Sequence, residues 1–372
     1  MVLKDGHRMS NATEADWQSM SAQHSDCFGH FGHHDFDLAQ TASSPRERCP
    51  VRSCSASLLP APYGTKGRTI PWCPVHGIRL HSNTFVYWNG PGRDVEARLR
   101  NFIVRHDLVR RIALTSGMKA ESHRLGYEMS EDALTWNVFV SLLEAGRLRD
   151  ATEYLTGRSV RGEPELYLWG RRVDDPAGSH ETLPDLVRVR RALESDIRTF
   201  VTEPDILLRV PGELLVCIEA KFGSANPLAH ETVPKPGEKP TSKAGLLSRY
   251  LGDRTSDLTR QRVLRDRIGT AFRSQLFRNV VFASEMAGEL PWHVVNLVSS
   301  TQAVGLSDDE KSFEDPTPEI RGYLADHVAG CFTYRTWEGL HAHVIVDDPD
   351  LAGLDDYLRG KSAHFQPAFN LL

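Results

Sequence analysis

A chain of 372 residues is longer than one average domain and long enough to bury a sizeable core. Its 40% hydrophobic and 25% charged residues are ordinary for a globular protein, and a net charge of −5 excludes general attraction to nucleic acid or anionic lipid. No run approaches the roughly eighteen apolar residues of a membrane span, and MVLKDGHRMSNATEADWQ at the start holds no signal-peptide core, so the expectation is a cytoplasmic protein with no membrane partner.

Residues 1–48 are polar, rich in Ser, Asp and His, without sustained periodicity, and are expected to be disordered. Cys27, His30, His33 and His34 lie in this stretch and read as an unstructured cluster. The six cysteines of the chain do not form a disulfide framework. Residues 49–92 predict a small zinc-ribbon-like module. Cys49-x4-Cys54, an 18-residue spacer and Cys73-x2-His76 supply two ligand pairs for a structural, tetrahedral Zn²⁺, with His81 as a substitute ligand. Leu99, Ile103, Leu108 and Ile112 have helical spacing, which makes 93–124 a helical linker.

The remainder, 125–372, is expected to be one α/β domain with a mixed sheet flanked by helices. SEDALTWNVFVSLLEAG (130–146) predicts a helix capped by Ser130 and stopped at Gly146. A strand at 165–170 and a helix over 183–200 follow. Residues 204–221 hold two strands joined at Pro211-Gly212, and 223–243 read as a mobile loop. A long helix is expected near 257–287, strands at 293–300 and 331–337, and a last helix at 351–362. The HAHV at 341–344 reads as structural.

The hairpin carries the chemistry. In LLVCIEAK, alternation places Leu215, Cys217, Glu219 and Lys221 on one face of an otherwise apolar strand. Burying unpaired charge there would cost several kcal/mol, so a compensating partner is required. Counting outward from the turn places Asp205 near Cys217 to Glu219. Two compensations are open: a buried Glu219–Lys221 salt bridge with Asp205 capping a turn, or a hard divalent cation, Mg²⁺ or Mn²⁺, held by Asp205 and Glu219. In the second, Lys221 would orient water or offset phosphate charge.

Pro204-Asp205, then Glu219-Ala220-Lys221 at the end of an apolar strand, resembles the PD-(D/E)xK nuclease superfamily. The resemblance covers roughly 125–300 and implies a restriction-endonuclease-like fold and metal-dependent hydrolysis of DNA phosphodiester bonds. It gives Asp205 and Glu219 the role of metal ligands and Lys221 that of catalytic lysine. Glu131, on the same helical stripe as Leu134, Val138 and Leu142, would be an assisting acid, and Gln275 with Arg278 matches a Gln-x-x-Arg pattern of some branches. Residues 243–278 hold nine Lys/Arg against three acids. Of these, Lys243, Arg249, Arg260, Arg262, Arg265, Arg273 and Arg278 would grip the phosphate backbone. The resemblance further implies restriction or defence against foreign DNA, with a second copy or other defence proteins as partners. The alternatives are an RNA-directed nuclease on the same residues and a non-catalytic nucleic-acid-binding adaptor built on the zinc module.

Overall fold

A computed structural model describes residues 36–37, 47–63, 68–88, 94–112, 123–197, 201–230, 246–252, 254–269, 271–300 and 314–371. The chain divides into two compact units. One comprises residues 1–133 with 353–370, the other 134–352 with 371–372. The expected disorder of 1–48, the 27–34 cluster and most of the 223–243 loop lie outside the described residues.

The first unit is built on a four-stranded antiparallel sheet, β1 (Leu59–Tyr63), β2 (Arg68–Cys73), β3 (Ile78–Leu80) and β4 (Phe85–Tyr87), in that spatial order. Phe36, Ile78, Leu80, Phe85 and Phe365 form its core. The single helix expected from 93 is two helices, α1 (Asp94–Leu99) and α2 (His106–Arg111). Between them Asn101, fully buried, donates to the carbonyls of Leu125 (2.9 Å) and Tyr127 (2.6 Å), and Arg105 adopts a left-handed conformation (φ 51°). Those tertiary bonds outweigh helical propensity, and Ile103 stands exposed instead of joining the apolar stripe.

Helix α3 (Glu131–Glu144) starts where expected, with Ser130 Oγ accepting from the Ala133 amide at 3.2 Å. In the second unit follow α4 (Leu148–Thr156), β5 (Glu165–Leu168), β6 (Arg171–Arg172), α5 (Pro184–Leu193), β7 (Ile206–Val210) and β8 (Leu214–Ala220). Next come β9 (Ala229–His230), α6 (Asp257–Arg262), β10 (Ala271–Phe272), α7 (Ser274–Ala287), β11 (Trp292–Val298), α8 (Thr317–Tyr323) and β12 (Phe332–Thr336). Six strands form a mixed sheet in the order β12-β11-β8-β7-β5-β6, with β8 parallel to β11 and antiparallel to β7. Every residue of β8 and β11 is buried, as strands covered on both faces require. Leu276, Val280 and Ala283 of α7 join Cys217 and Val294 in one core.

The long helix expected over 257–287 is broken. Val263 is extended, the Leu264 amide donates to the Tyr323 carbonyl (2.8 Å), and β10 pairs with β9. Long-range backbone bonds thus take up the donors a continuous helix would have used. Leu264, Ile268, Ala271 and Phe272 therefore lie outside any helical stripe. The HAHV stretch is a π-helical turn, His341–Ile345.

Candidate functional site

The hairpin turns at Gly212, whose positive φ of 71° suits a residue without Cβ. Its register pairs Ile206 with Ile218, so Asp205 stands opposite Glu219. Asp205 Oδ2 accepts from the Ala220 amide at 3.0 Å. Lys221 Nζ lies 2.6 Å from Glu219 Oε1, with side-chain exposures of only 5% and 3%. Glu219 Oε2 accepts from Asn279 Nδ2 at 2.6 Å, and the Lys221 carbonyl accepts from Trp337 Nε1 at 3.1 Å.

Burial alone would raise the Glu219 pKa. The charges of Lys221 and Arg278, with hydrogen bonds from Lys221 and Asn279, outweigh it and hold the carboxyl below its ordinary range. The site therefore contains an ionised pair on the strand that the alternation singles out. Asp205, Glu219 and Lys221 are brought together. Of the two compensations open in the sequence, the salt bridge is formed, and Asp205 Oδ2 bonds the amide of a neighbouring strand.

Three asparagines escaped the sequence reading. Asn279 fixes one Glu219 oxygen, Asn296 Nδ2 donates to the Glu219 carbonyl (3.2 Å), and Asn226 Nδ2 donates to Asn296 Oδ1 (3.0 Å). An amide at position 279 among the apolar residues Leu276, Phe277, Val280 and Val281 was the available signal. Around them, Arg278 Nε and Nη1, Asn279 Oδ1 and Asn226 Oδ1 are buried without a hydrogen-bond partner.

Glu131 is half-buried in the first turn of α3. The stripe that singled it out does not discriminate, because all residues from Ala133 to Val140 are buried. Gln275 is half-buried at the second position of α7, not in the middle of a long helix.

The basic stretch also requires correction. Arg278, Arg273 and Arg262 are buried (2%, 3% and 8% exposed). Arg273 binds Glu319 and the Asn226 carbonyl, and Arg262 binds the Gly288 carbonyl. Arg249 pairs with Asp196 and reaches the Leu193 carbonyl, while Arg260 pairs with Asp257 and holds the carbonyls of Gly252 and Thr255. Arg249, Arg260, Arg262 and Arg273 are thus committed to internal acceptors, while Arg278 is buried with Nε and Nη1 unpartnered; buried or committed guanidinium groups do not make a phosphate-binding surface. Arg265 is exposed, and Lys243 lies outside the described residues.

In the first unit, Cys49, Cys54, Cys73 and His76 have ligand atoms within 4.8 Å of one another and could hold a metal ion. Gly77 (φ 58°) closes the second knuckle by donating its amide to the Cys73 carbonyl at 2.9 Å. Hydrogen bonding from Cys49, against the opposing effect of burial, pulls the Cys73 thiol down to about 4, so a thiolate is already favoured there. Arg100 donates to the carbonyls of His76 (2.8 Å) and Gly77 (3.0 Å). His81 is not in the cluster; its ring bonds Ser82 and faces Tyr127.

No helix among the described residues is long and apolar enough to cross a membrane. No family model, curated protein or solved structure matches the chain.

Proposed function

We propose that the protein is a metal-dependent nuclease that hydrolyses DNA phosphodiester bonds. The observation that carries this reading is the convergence of Asp205, Glu219 and Lys221 at one end of a hairpin buried in the sheet. Asp205 and Glu219 offer hard oxygen donors on adjacent strands, the donor chemistry that Mg²⁺ or Mn²⁺ prefers. A divalent ion held by them would stabilise charge on a phosphoryl oxygen and make a water more acidic. Lys221 would balance charge on the phosphate, and Asn279 keeps Glu219 in orientation by holding its second oxygen.

The cysteine-histidine cluster is read as a structural zinc site. A tetrahedral ion with bonds of ~2.3 Å to sulfur and ~2.0 Å to nitrogen separates its ligands by about 3.5–3.8 Å. The Cys54–Cys73 and Cys73–His76 separations of 3.9 and 3.5 Å suit it. Four protein ligands leave no open position, so this ion would not take part in hydrolysis.

Incubation of supercoiled plasmid with Mg²⁺ or Mn²⁺ tests the nuclease. Nicking or linearisation by the wild type, abolished by Lys221→Ala and by Asp205→Ala, is expected. One observation favours a second reading, a non-catalytic nucleic-acid-binding adaptor in which the ion pair only supports the fold: both Glu219 oxygens and Asp205 Oδ2 already accept protein hydrogen bonds. Plasmid, single-stranded DNA and RNA all surviving with either metal would establish that reading. Cleavage of RNA alone would move the substrate and keep the residues.

A further inference from the structure

Sequence density points to 243–278 as the basic surface, and the structure commits most of those guanidinium groups internally. A different set of arginines, far apart in sequence, converges on the edge strand β12. Arg158 Nη2 lies 3.6 Å from Cys331 Sγ, Arg321 Nη2 donates to the Phe332 carbonyl at 3.1 Å, and Arg335 Nε donates to the Tyr154 carbonyl at 3.0 Å. Three guanidinium groups thus meet along residues 331–335. Arg321 is exposed and the other two half-buried.

None of the three has a carboxylate partner among the described residues; the bonds just given commit one of the five donors each carries, and the Arg335 guanidinium also lies over the Tyr154 ring. Glu319, two residues before Arg321, is paired with Arg273, and Glu338, three after Arg335, is engaged by the Ser299 hydroxyl (3.1 Å) and the Ser300 amide. Within the cluster His293 is fully buried, with Nε2 3.1 Å from Thr333 Oγ1 and Nδ1 unpartnered. Burial, reinforced by Arg158, Arg335 and Arg321, pushes its pKa down to about 3, so the imidazole stays neutral and contributes no further positive charge. Charged side chains on an edge strand also discourage strand pairing. Arg158 and Arg321 come from outside the strand, however, and edge protection does not require a concentration of uncompensated cations drawn from three segments.

We infer that Arg158, Arg321 and Arg335 form an anion-binding rim on β12 that holds backbone phosphates of duplex DNA. The anion class follows from the geometry, and its identity as DNA rests on the nuclease reading. Register makes the rim useful to the site: Leu297 pairs with both Arg335 and Ala220, so Arg335 lies level with the residue between Glu219 and Lys221. Two strand spacings separate them, about 10 Å, well within the ~34 Å of one duplex turn. Alternation places the Arg335 side chain on the sheet face opposite Glu219, so the rim contacts flanking phosphates rather than the scissile one.

The test is binding of a labelled DNA duplex, without divalent ions, as a function of salt. Wild type is compared with Arg158→Gln/Arg321→Gln/Arg335→Gln and with the control Arg254→Gln/Arg265→Gln/Arg267→Gln, from the exposed part of the stretch between 243 and 278. Neutralising three phosphate contacts should weaken binding at least tenfold at low salt and flatten the slope of log K against log salt by about 3. Lysine at the same three positions should restore most of the slope, which separates lost charge from lost folding. Equal slopes for wild type and the edge variant, a larger loss in the control, or no restoration by lysine would overturn the inference. Loss of binding on duplex RNA but not on DNA would overturn the DNA assignment. Because no cleavage occurs in this assay, a wild type that binds through the rim yet never cuts plasmid would sink the nuclease reading alone.

Discussion

Two buried glutamate–lysine pairs, one in each unit, differ in how completely their surroundings satisfy them. In the first, Glu128 and Lys361 are 3.3 Å apart with no exposed side-chain surface. The Ser362 amide and Tyr87 hydroxyl donate to Glu128, Lys361 donates to Asn101, and the ammonium lies over the Tyr357 ring. The Glu219–Lys221 pair is tighter at 2.6 Å, yet lies among unpartnered groups: two nitrogens of Arg278 and the side-chain Oδ1 atoms of Asn279 and Asn226. Burial alone does not separate an ion pair that only supports the fold from one that, on the nuclease reading, would react. Surrounding donors and acceptors without partners do, because they are tolerated chiefly where a ligand or reaction makes use of them.

The sharpest way to break this comparison is activity. Lys221→Ala should lower plasmid cleavage by about 10²–10⁴-fold, as expected when a group stabilising transition-state charge is removed, while Lys361→Met should leave the rate per folded molecule unchanged. Equal rate losses in both would erase the distinction. On stability, Lys361→Met strands the Glu128 carboxylate, and denaturant titration should register a loss of about 3–5 kcal/mol. The double variant Glu128→Leu/Lys361→Met should recover much of that, since no lone charge remains. A double variant as unstable as the single would indicate that the hydrogen bonds from Tyr87, Ser362 and Asn101 matter more than the charges.

Metal removal probes the first unit in another way. Chelation, or Cys73→Ser, should lower its melting temperature and release one zinc per chain, read by a colorimetric indicator, without shifting the Lys221-dependent chemistry directly. A further effect is one of pH. An imidazole ordinarily titrates near ~6.5, and His293 in the fold titrates near 3, so between those values the unfolded chain binds the extra proton. The stability that neutral His293 contributes is therefore fully present above the higher value and falls by about 1.4 kcal/mol per pH unit on acidification towards the lower. His293→Leu should remove that slope from unfolding measured between pH 6.5 and 4. A slope unchanged in the variant would assign the acid sensitivity to other groups.

The hairpin was legible because strand alternation and the Pro211-Gly212 turn are local, and they placed Asp205 opposite Glu219 to within the stated register. The metal cluster was legible through ligand spacing, and His81 dropped out. What sequence did not reveal were long-range pairings. The helix expected over 257–287 broke because Arg262, Val263 and Leu264 bond a segment some sixty residues on, around Tyr323 to Ala325. The density of arginine in that stretch gave no sign that neighbouring carbonyls and acids would take most of the guanidinium groups. Lys361 lies 260 residues from its partner Asn101, and no periodicity connects them.

That last separation bears on how the molecule is made. Residues 134–352 interrupt the first unit, whose core includes Phe365 and whose buried pair requires Lys361. During synthesis the interrupting unit has all of its sheet available before the first unit can close, contrary to the usual N-terminal-first order. The nascent cysteine-histidine module must therefore wait for residues 353–370 to emerge, at about 5–20 residues per second, before its last buried contacts can form. A ribosome stalled shortly after residue 352 would display a completed sheet attached to an unfinished cysteine-histidine module.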